Sequence, residues 1–286
     1  MHTKVNQRSR ALHHTIIALV ARLWIVGASP AALAADATVA CERQWSLVAT
    51  YPHETSHFTQ GLTWTDGRLF ESVGQYGRSG VHEIDLATGR TQRSRALPAH
   101  VFGEGLTRIG DRLVQLSWRE KTAYLYDLSL EPRGTLSFEG EGWGLTTLPG
   151  ADGALLVLSD GTPWLRMLDP ATLAERRRVM VRIGAEPVQR INELEWVRGE
   201  ILANLWYSDE VAVIDPADGA VRGWFNFAEL RARLRWPAPM KATRDAVLNG
   251  LAWNERQGRL LVTGKNWPQL FEVEVGGCRA PPLPHQ

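Results

Sequence analysis

The feature that most constrains the fold is a short motif that recurs five times along the chain. Each copy is built around one leucine, and the copies read TQGLTW (59–64), GEGLTR (103–108), GWGLTT (142–147), NELEWV (192–197) and LNGLAW (248–253). The spacings between the aligned leucines are 44, 39, 49 and 57 residues. Self-similarity at such a period indicates one supersecondary unit that is repeated along the chain.

Every copy of the motif is followed by turns and by further short strand patterns, such as GRLFESVG and then VHEIDLATG after the first copy. Short alternating strands at this period are typical of a β-propeller, in which each blade is a four-stranded antiparallel sheet. The last unit offers only three strands, and the segment QWSLVATYP (44–52) is an orphan strand that can complete it. We therefore expect an all-β, five-bladed β-propeller, closed by the N-terminal strand, as a single domain over residues 35–286.

The only two cysteines, Cys41 and Cys278, stand near opposite ends of this predicted domain. Antiparallel pairing of the N-terminal strand with LFEVEV would place them side by side, and an oxidising compartment would favour a disulfide. Closing nearly the whole domain would stabilise it by roughly 4–5 kcal/mol on the chain-entropy account. The alternative is a pair of free buried thiols.

The first 34 residues have the composition of a secretory signal. A basic start, MHTKVNQRSRALHH, precedes the apolar TIIALVARLWIVGA, and the small residues ALA at 32–34 predict cleavage after Ala34. An uncleaved membrane anchor is the alternative, although Arg22 interrupts the apolar run. TVAC, ending at Cys41, is a faint lipid-attachment pattern that lies well past the apolar segment. We expect a periplasmic or secreted monomer without membrane attachment, and the net charge of +1 gives no reason to expect a nucleic-acid partner.

When the five copies are aligned, two positions, here called columns, carry side chains that differ from copy to copy. Two residues before the aligned leucines stand Gln60, Glu104, Trp143, Asn192 and Asn249. The second strands of the units end at Gly74, Trp118, Asp160, Trp206 and Lys265. Because antiparallel first and second strands begin and end at the same edge, both columns should meet at one mouth of the propeller. Polar residues that only bind water in the channel are the alternative, as is a structural ion pair between Glu104 and Lys265.

The residue types in these columns limit the chemistry. The histidines after residue 34 are scattered, and HETSH (53–57) resembles a helical zinc motif only by its letters, since it stands in a strand context. We therefore expect no catalytic zinc and no cofactor, whereas a structural cation in the channel is compatible with the sequence. One carboxylate, one ammonium and several amides between indoles suit proton transfer with a developing oxyanion.

A run of motifs in fixed order resembles a known family. FTQGL, FGEGLT, QLSW, GWGLT, SDGT, NELEW, ANLW, NGLAW and VTGKNWP are together similar to the glutaminyl-peptide cyclotransferases of the plant and bacterial type. The resemblance covers essentially the whole mature chain and implies a five-bladed propeller that converts the N-terminal glutamine of peptides or proteins to pyroglutamate and releases ammonia. The family's pocket residues correspond to Phe58, Gln60, Phe102, Glu104, Trp118, Trp143, Asn192, Trp206 and Lys265. QLSW and NELEW depart slightly from the commoner QLTW and NELEY, beside the site residues.

On this interpretation Glu104 moves a proton, while Lys265, Asn192 and Gln60 bind the oxyanion or the peptide carbonyl. Aromatic side chains would form the pocket wall. A non-catalytic exported propeller that binds peptides or sugars at a Trp-lined mouth is the alternative function. A metal-dependent lactonase is disfavoured, since its calcium site needs more carboxylates than the columns supply. The insertion at 225–246, with a predicted short helix over 228–235, would be either part of the pocket rim or an inert surface helix.

Overall fold

Almost every regular element of this protein is a short β-strand. The structure is a computed structural model that describes residues 40–279. The predicted signal sequence of residues 1–34 lies outside these residues. No helix between residues 40 and 279 has the length and apolar character that crossing a membrane requires.

The elements follow the chain in the order expected for repeated antiparallel units. The strands are β1 (Cys41–Pro52), β2 (Thr59–Thr65), β3 (Arg68–Val73), β4 (Gly80–Ile84), β5 (Thr91–Ala96), β6 (Gly103–Ile109), β7 (Arg112–Ser117), β8 (Thr122–Asp127), β9 (Pro132–Ser137), β10 (Leu145–Leu148), β11 (Leu155–Leu158), β12 (Trp164–Leu168), β13 (Glu175–Met180), β14 (Arg182–Ile183), β15 (Glu186–Pro187), β16 (Ile191–Val197), β17 (Glu200–Leu205), β18 (Glu210–Ile214), β19 (Val221–Asn226), β20 (Leu248–Asn254), β21 (Arg259–Gly264) and β22 (Gln269–Cys278). The one helix among the described residues, α1 (Ala228–Ala232), is shorter than predicted.

These strands form sheets of consecutive, antiparallel neighbours. Three sheets have four strands each, in the orders β2-β3-β4-β5, β6-β7-β8-β9 and β10-β11-β12-β13. A fourth sheet has eight strands in the order β16-β17-β18-β19-β1-β22-β21-β20. In it β1 pairs with β19 in parallel and with β22 in antiparallel orientation, so β1 joins the last two units of the repeat.

The pairing of β1 with β22 brings the two cysteines together. Arg43 lies opposite Cys278, and a disulfide joins Cys41 to Cys278 with their Cα atoms 5.6 Å apart. The predicted antiparallel pairing and the disulfide are therefore confirmed, and the alternative of two free thiols is wrong.

The core lies between neighbouring sheets, and the repeated leucines form its inner layer. Leu62, Leu106, Leu145, Leu194 and Leu251 are each at most 1% exposed. The strands that carry them contact one another in a closed sequence, β2 to β6, β10, β16, β20 and back to β2. Glycine precedes four of these leucines because backbones approach closely there; a Cβ at Gly144 would collide with the Asn192 carbonyl oxygen.

The fourth copy of the repeat breaks this glycine pattern at Glu193. Its buried carboxylate reaches across to two other first strands, accepting hydrogen bonds from the Leu62 N–H at 3.4 Å and the Leu251 N–H at 3.1 Å. One side chain thus links β16 with both β2 and β20.

Candidate active site

All nine residues that the sequence analysis assigned to the pocket line one cavity of about 260 Å³. They are Phe58, Gln60, Phe102, Glu104, Trp118, Trp143, Asn192, Trp206 and Lys265, and Asp245 joins them. Seven of the nine belong to the two columns, at the starts of the first strands and directly after the second strands, whereas Phe58 and Phe102 lie just before β2 and β6. Their chemical roles remain predictions.

Three members of the two columns do not line the cavity. A Cβ at Gly74 would collide with the Phe102 ring and would stand 2.8 Å from Gln60 Cγ, so only glycine leaves room for these two side chains. The Asn249 Nδ2 donates to the Thr59 carbonyl at 2.9 Å. Asp160 accepts a hydrogen bond from the Thr162 N–H at 3.1 Å in the turn beyond.

Glu104 is a buried carboxyl group with one amide donor. Gln60 Nε2 donates to Glu104 Oε1 at 3.1 Å, and Glu104 is only 5% exposed. Burial raises the pKa of Glu104 well above the ordinary glutamate value; Lys265 opposes this effect, and the carboxylates of Glu141 and Glu120 add to it. The group can therefore hold a proton at a pH where an exposed glutamate would have lost it.

Lys265 is also buried, yet it is not the ion-pair partner of Glu104. No direct ion pair joins the two among the salt bridges that residues 40–279 form, and the Lys265 Nζ lies 4.9 Å from the centre of the Phe58 ring. Burial lowers the pKa of Lys265 to about 8, against the opposing charges of Glu104 and Asp245. This geometry does not support the structural ion pair that the sequence left open, since each charge keeps free hydrogen-bonding capacity.

Asn192 adds an unpartnered polar atom to the cavity. Its Oδ1 is buried and has no hydrogen-bond partner among the described residues. Buried polar atoms are nearly always hydrogen-bonded, so this oxygen can accept a hydrogen bond from a water molecule or a ligand in the cavity.

The walls are aromatic rings in edge-to-face contact. Ring centres are 6.3 Å apart for Phe58 and Phe102, 5.7 Å for Phe102 and Trp118, and 5.4 Å for Trp143 and Trp206. Such pairs stabilise one another beyond the apolar area that they bury. The cavity is thus preformed by side chains that hold each other in place.

Glu141 orients two of these indoles, and sequence reasoning missed it. Its Oε2 accepts hydrogen bonds from Trp118 Nε1 at 2.8 Å and Trp143 Nε1 at 3.0 Å. Arg119 donates to its Oε1 at 3.0 Å and lies 3.7 Å over the Trp118 ring. Although burial raises the pKa of Glu141, the hydrogen bonds from Trp143, Trp118 and Arg119 lower it below its ordinary value, so the group is a carboxylate. The only signal in the sequence was an acid two residues before Trp143.

The insertion at 225–246 contributes one residue to the cavity, Asp245, which accepts a hydrogen bond from the Tyr207 hydroxyl at 2.7 Å. Two arginines of the insertion do not line the cavity: Arg231 pairs with Asp209, and Arg233 pairs with Glu229. The insertion therefore reaches the site through its C-terminal end rather than through its helix.

A larger cavity of about 730 Å³ lies at the other ends of the first strands, lined in part by Trp64, Arg108, Trp196 and Trp253. None of the nine predicted residues belongs to it. We assign the site to the smaller cavity, because only that one combines a proton-holding carboxyl, a buried ammonium and an unpartnered amide.

The structure also brings together residues that the sequence kept apart. His53 and His57 of the HETSH segment converge with Glu71 of β3, with ligand-type atoms within 4.8 Å of one another. The letters HETSH contain two of the three residues of this cluster, since the carboxylate comes from β3.

Comparisons with known proteins agree with these observations. A family model described as glutamine cyclotransferase matches residues 18–275. A glutaminyl-peptide cyclotransferase of Arabidopsis thaliana is 39% identical over 234 residues, which are 80% of this chain and 70% of that protein. The crystal structure of Myxococcus xanthus glutaminyl cyclase matches with a TM-score of 0.77 and 36% identity, over 84% of this chain and 100% of that chain.

Proposed function

Because this chain belongs to the glutamine cyclotransferase family and is a glutaminyl-peptide cyclotransferase, we propose that its aromatic cavity performs the cyclisation. The N-terminal glutamine of a peptide or protein would enter the cavity, close to pyroglutamate and release ammonia. The observation that carries this assignment is the meeting of Glu104, Lys265 and Asn192 in one aromatic cavity.

The finer architecture is part of the proposal. We infer a five-bladed β-propeller in which each unit of the repeat is a blade and β1 completes the last one. The closed sequence of contacts among the first strands and the antiparallel pairing of β1 with β22 support it. In this arrangement the two sequence columns face a common mouth, which accounts for the residues found in the cavity.

The aromatic walls would fold the substrate into a reactive conformation. The α-amine and the γ-carboxamide already belong to one molecule, so the pocket must bring the amine nitrogen against the γ-carbon and exclude extended rotamers. Trp118, Trp143 and Trp206 would form the walls, with Phe58 and Phe102 behind them. Glu141 would act as a positioning residue, because it fixes two indoles through their N–H groups.

Glu104 would transfer the proton. As the amine nitrogen bonds to the γ-carbon it becomes positively charged, and the Glu104 carboxylate would remove its proton. The same carboxyl would then donate that proton to the departing amide nitrogen, which leaves as ammonia. A raised pKa suits both steps, since a catalytic acid–base group works best near the operating pH.

The oxygen of the γ-carboxamide gains negative charge when the ring closes. Lys265 and the Nδ2 group of Asn192 would bind this oxyanion, because both are hydrogen-bond donors on side chains that line the cavity. The unpartnered Asn192 Oδ1 can only accept, so it would bind a substrate N–H. Gln60 already donates to Glu104, so we assign it the orientation of that carboxyl. No step in this scheme needs a metal ion.

We also propose that the mature chain is an exported monomer that acts apart from membranes and nucleic acid. The disulfide supports an oxidising compartment, and the net charge of +1 offers no electrostatic basis for nucleic-acid binding.

Ammonia release from a glutamine-initiated peptide in the presence of a chelator tests the proposal. We expect turnover with the chelator and none with the N-acetylated peptide, whose amine cannot attack. Glu104→Gln should lower kcat by about 10²–10⁴-fold while peptide binding remains measurable. Glu139→Gln, which alters an exposed carboxylate paired with Lys121, is the matched control. Full activity of Glu104→Gln would contradict the mechanism.

A further inference from the structure

A second constellation of ionisable side chains lies outside the substrate cavity. This histidine cluster comprises His53, His57 and Glu71, with His82 beside them. Glu71 is fully buried, and its Oε1 lies 3.1 Å from His53 Nε2 while its Oε2 lies 2.8 Å from His57 Nδ1. Both histidines are only 7% exposed. None of the four residues lines the cavity of Glu104, so the proposed mechanism leaves the cluster without a role.

The hydrogen bonds around the cluster determine which ring nitrogen is available. His53 Nδ1 lies 2.7 Å from the Trp267 carbonyl oxygen, so Nδ1 carries a hydrogen that it donates to this oxygen. The other ring nitrogen, Nε2, faces Glu71. A backbone carbonyl behind a ring nitrogen is the usual support of a metal-binding histidine. Thr59 Oγ1 in turn donates to Glu71 Oε1 at 2.7 Å, which orients the carboxylate.

The cluster contains more nitrogen sites than its one carboxylate can satisfy. His82 lies directly opposite Glu71 on β4, and its ring centre is 4.7 Å from that of His57. The His82 Nδ1 is buried and has no hydrogen-bond partner in the part of the chain that the structure describes. Three imidazoles therefore surround one carboxylate, and one of their ring nitrogens lacks a partner among the described residues.

We propose that His53, His57 and Glu71 bind a divalent metal ion of the zinc class at a structural site. Zinc takes imidazole nitrogen and carboxylate oxygen at about 2.0–2.2 Å in tetrahedral geometry, which places ligand atoms about 3.3 Å apart. The two imidazole–carboxylate separations, 3.1 and 2.8 Å, would lengthen by a few tenths of an ångström. The ligand atoms all lie within 4.8 Å of one another, and those farther apart than about 3.3 Å would close in on the ion. Calcium and magnesium fit poorly, because they prefer oxygen ligands throughout.

The position of the cluster indicates what the ion would do. His53 N–H donates to the Pro268 carbonyl at 3.0 Å, and Asn266 N–H donates to the His57 carbonyl at 2.7 Å. The ion would therefore fasten the segment before β2 to β3 and to the turn after β21. These segments carry Phe58 and Lys265 of the cavity, so the metal would stabilise the site without touching the substrate.

Zinc binding to the untagged mature protein tests the proposal. Protein freed of metal with a chelator is dialysed against ZnCl₂, and bound zinc and thermal unfolding are measured. We expect one zinc ion per chain, and a rise in Tm of about 5–10 °C at a hundredfold excess over Kd. His53→Ala and His57→Ala should each lose the bound zinc and the Tm rise. His100→Ala, at an exposed histidine outside the cluster, should keep both.

A direct readout on the unaltered chain covers the case in which a variant fails to fold. X-ray absorption at the zinc edge should show two imidazole nitrogens and carboxylate oxygen around the ion. The proposal is overturned if the wild-type protein binds no zinc, which would mean that a proton alone joins these groups. Binding that persists in both histidine variants, or a coordination shell without imidazole, would overturn it equally.

Discussion

Replacing the two cysteines should destabilise the fold while leaving catalysis intact. The perturbation is the double substitution Cys41→Ser with Cys278→Ser, which removes the bond without leaving a lone thiol. The bond spans 237 residues of sequence, and neither β1 nor β22 contributes a residue to the substrate cavity. Stability and activity should therefore respond separately.

The magnitude follows from the length of the closed loop. On the chain-entropy account, a loop of this length removes about 18 cal/mol/K from the unfolded chain, which is about 5 kcal/mol at 25 °C. A domain of this size loses roughly 2–4 °C in Tm for each kcal/mol. We thus expect the variant to melt about 10–20 °C lower than the parent chain.

Urea unfolding gives the free energy, and the ammonia assay at 25 °C gives kcat/KM for both proteins. The expected outcome is a loss of about 5 kcal/mol with kcat/KM within a factor of two. A loss below about 1 kcal/mol would refute the reasoning, since it would mean that the ladder between β1 and β22 holds the chain ends together without the bond. A large fall in kcat/KM with unchanged stability would contradict the expectation that the disulfide does not affect the substrate cavity.

The remaining predictions concern the cavity. The acid limb of the kcat–pH profile should lie well above the ordinary glutamate range, because burial raises the pKa of Glu104 and its protonated form cannot accept the amine proton. Lys265→Met should lower kcat by about 10²–10³-fold and leave Tm nearly unchanged. In the parent protein kcat should fall near pH 8, where Lys265 loses its proton, and this fall should be absent from the variant. A collapse of Tm would point to a structural role. Glu141→Gln removes a negative charge that raises the pKa of Glu104, so the acid limb of the kcat–pH profile should move to lower pH. An unmoved limb would exclude an effect of Glu141 on the pKa of Glu104. Glu139→Gln is the control. Gly74→Ala should raise KM by displacing Phe102, and an unchanged KM would show that this ring is free to shift.

The repeat made much of the site predictable from sequence. In a repeated unit, positions that vary against a constant background stand out, and Glu104 and Lys265 were found in this way. Phe58 and Phe102 lie outside both columns and were identified only by the resemblance to a family. The register of β1 was predictable too, because one strand was missing from the last unit and one was left over at the start.

The supporting residues were not predictable, because their partners are distant in sequence or fall outside the repeat. Glu141 lies before Trp143 in a turn whose conformation no local pattern specifies. Asp245 comes at the end of an irregular insertion, so its approach to the cavity depends on how that segment packs. Glu71 belongs to a second strand and appears as an ordinary acid until the fold sets it between His53 and His57.

Glu193 means that the five units are not interchangeable. Its carboxylate occupies a position that is glycine in the other four copies and accepts hydrogen bonds from backbone groups of two different units. A chain assembled from five copies of the first unit would carry glycine at every one of these positions and would leave both amides without this acceptor. The molecule thus depends on one divergent copy for the hydrogen bonds that connect β16 to two other first strands.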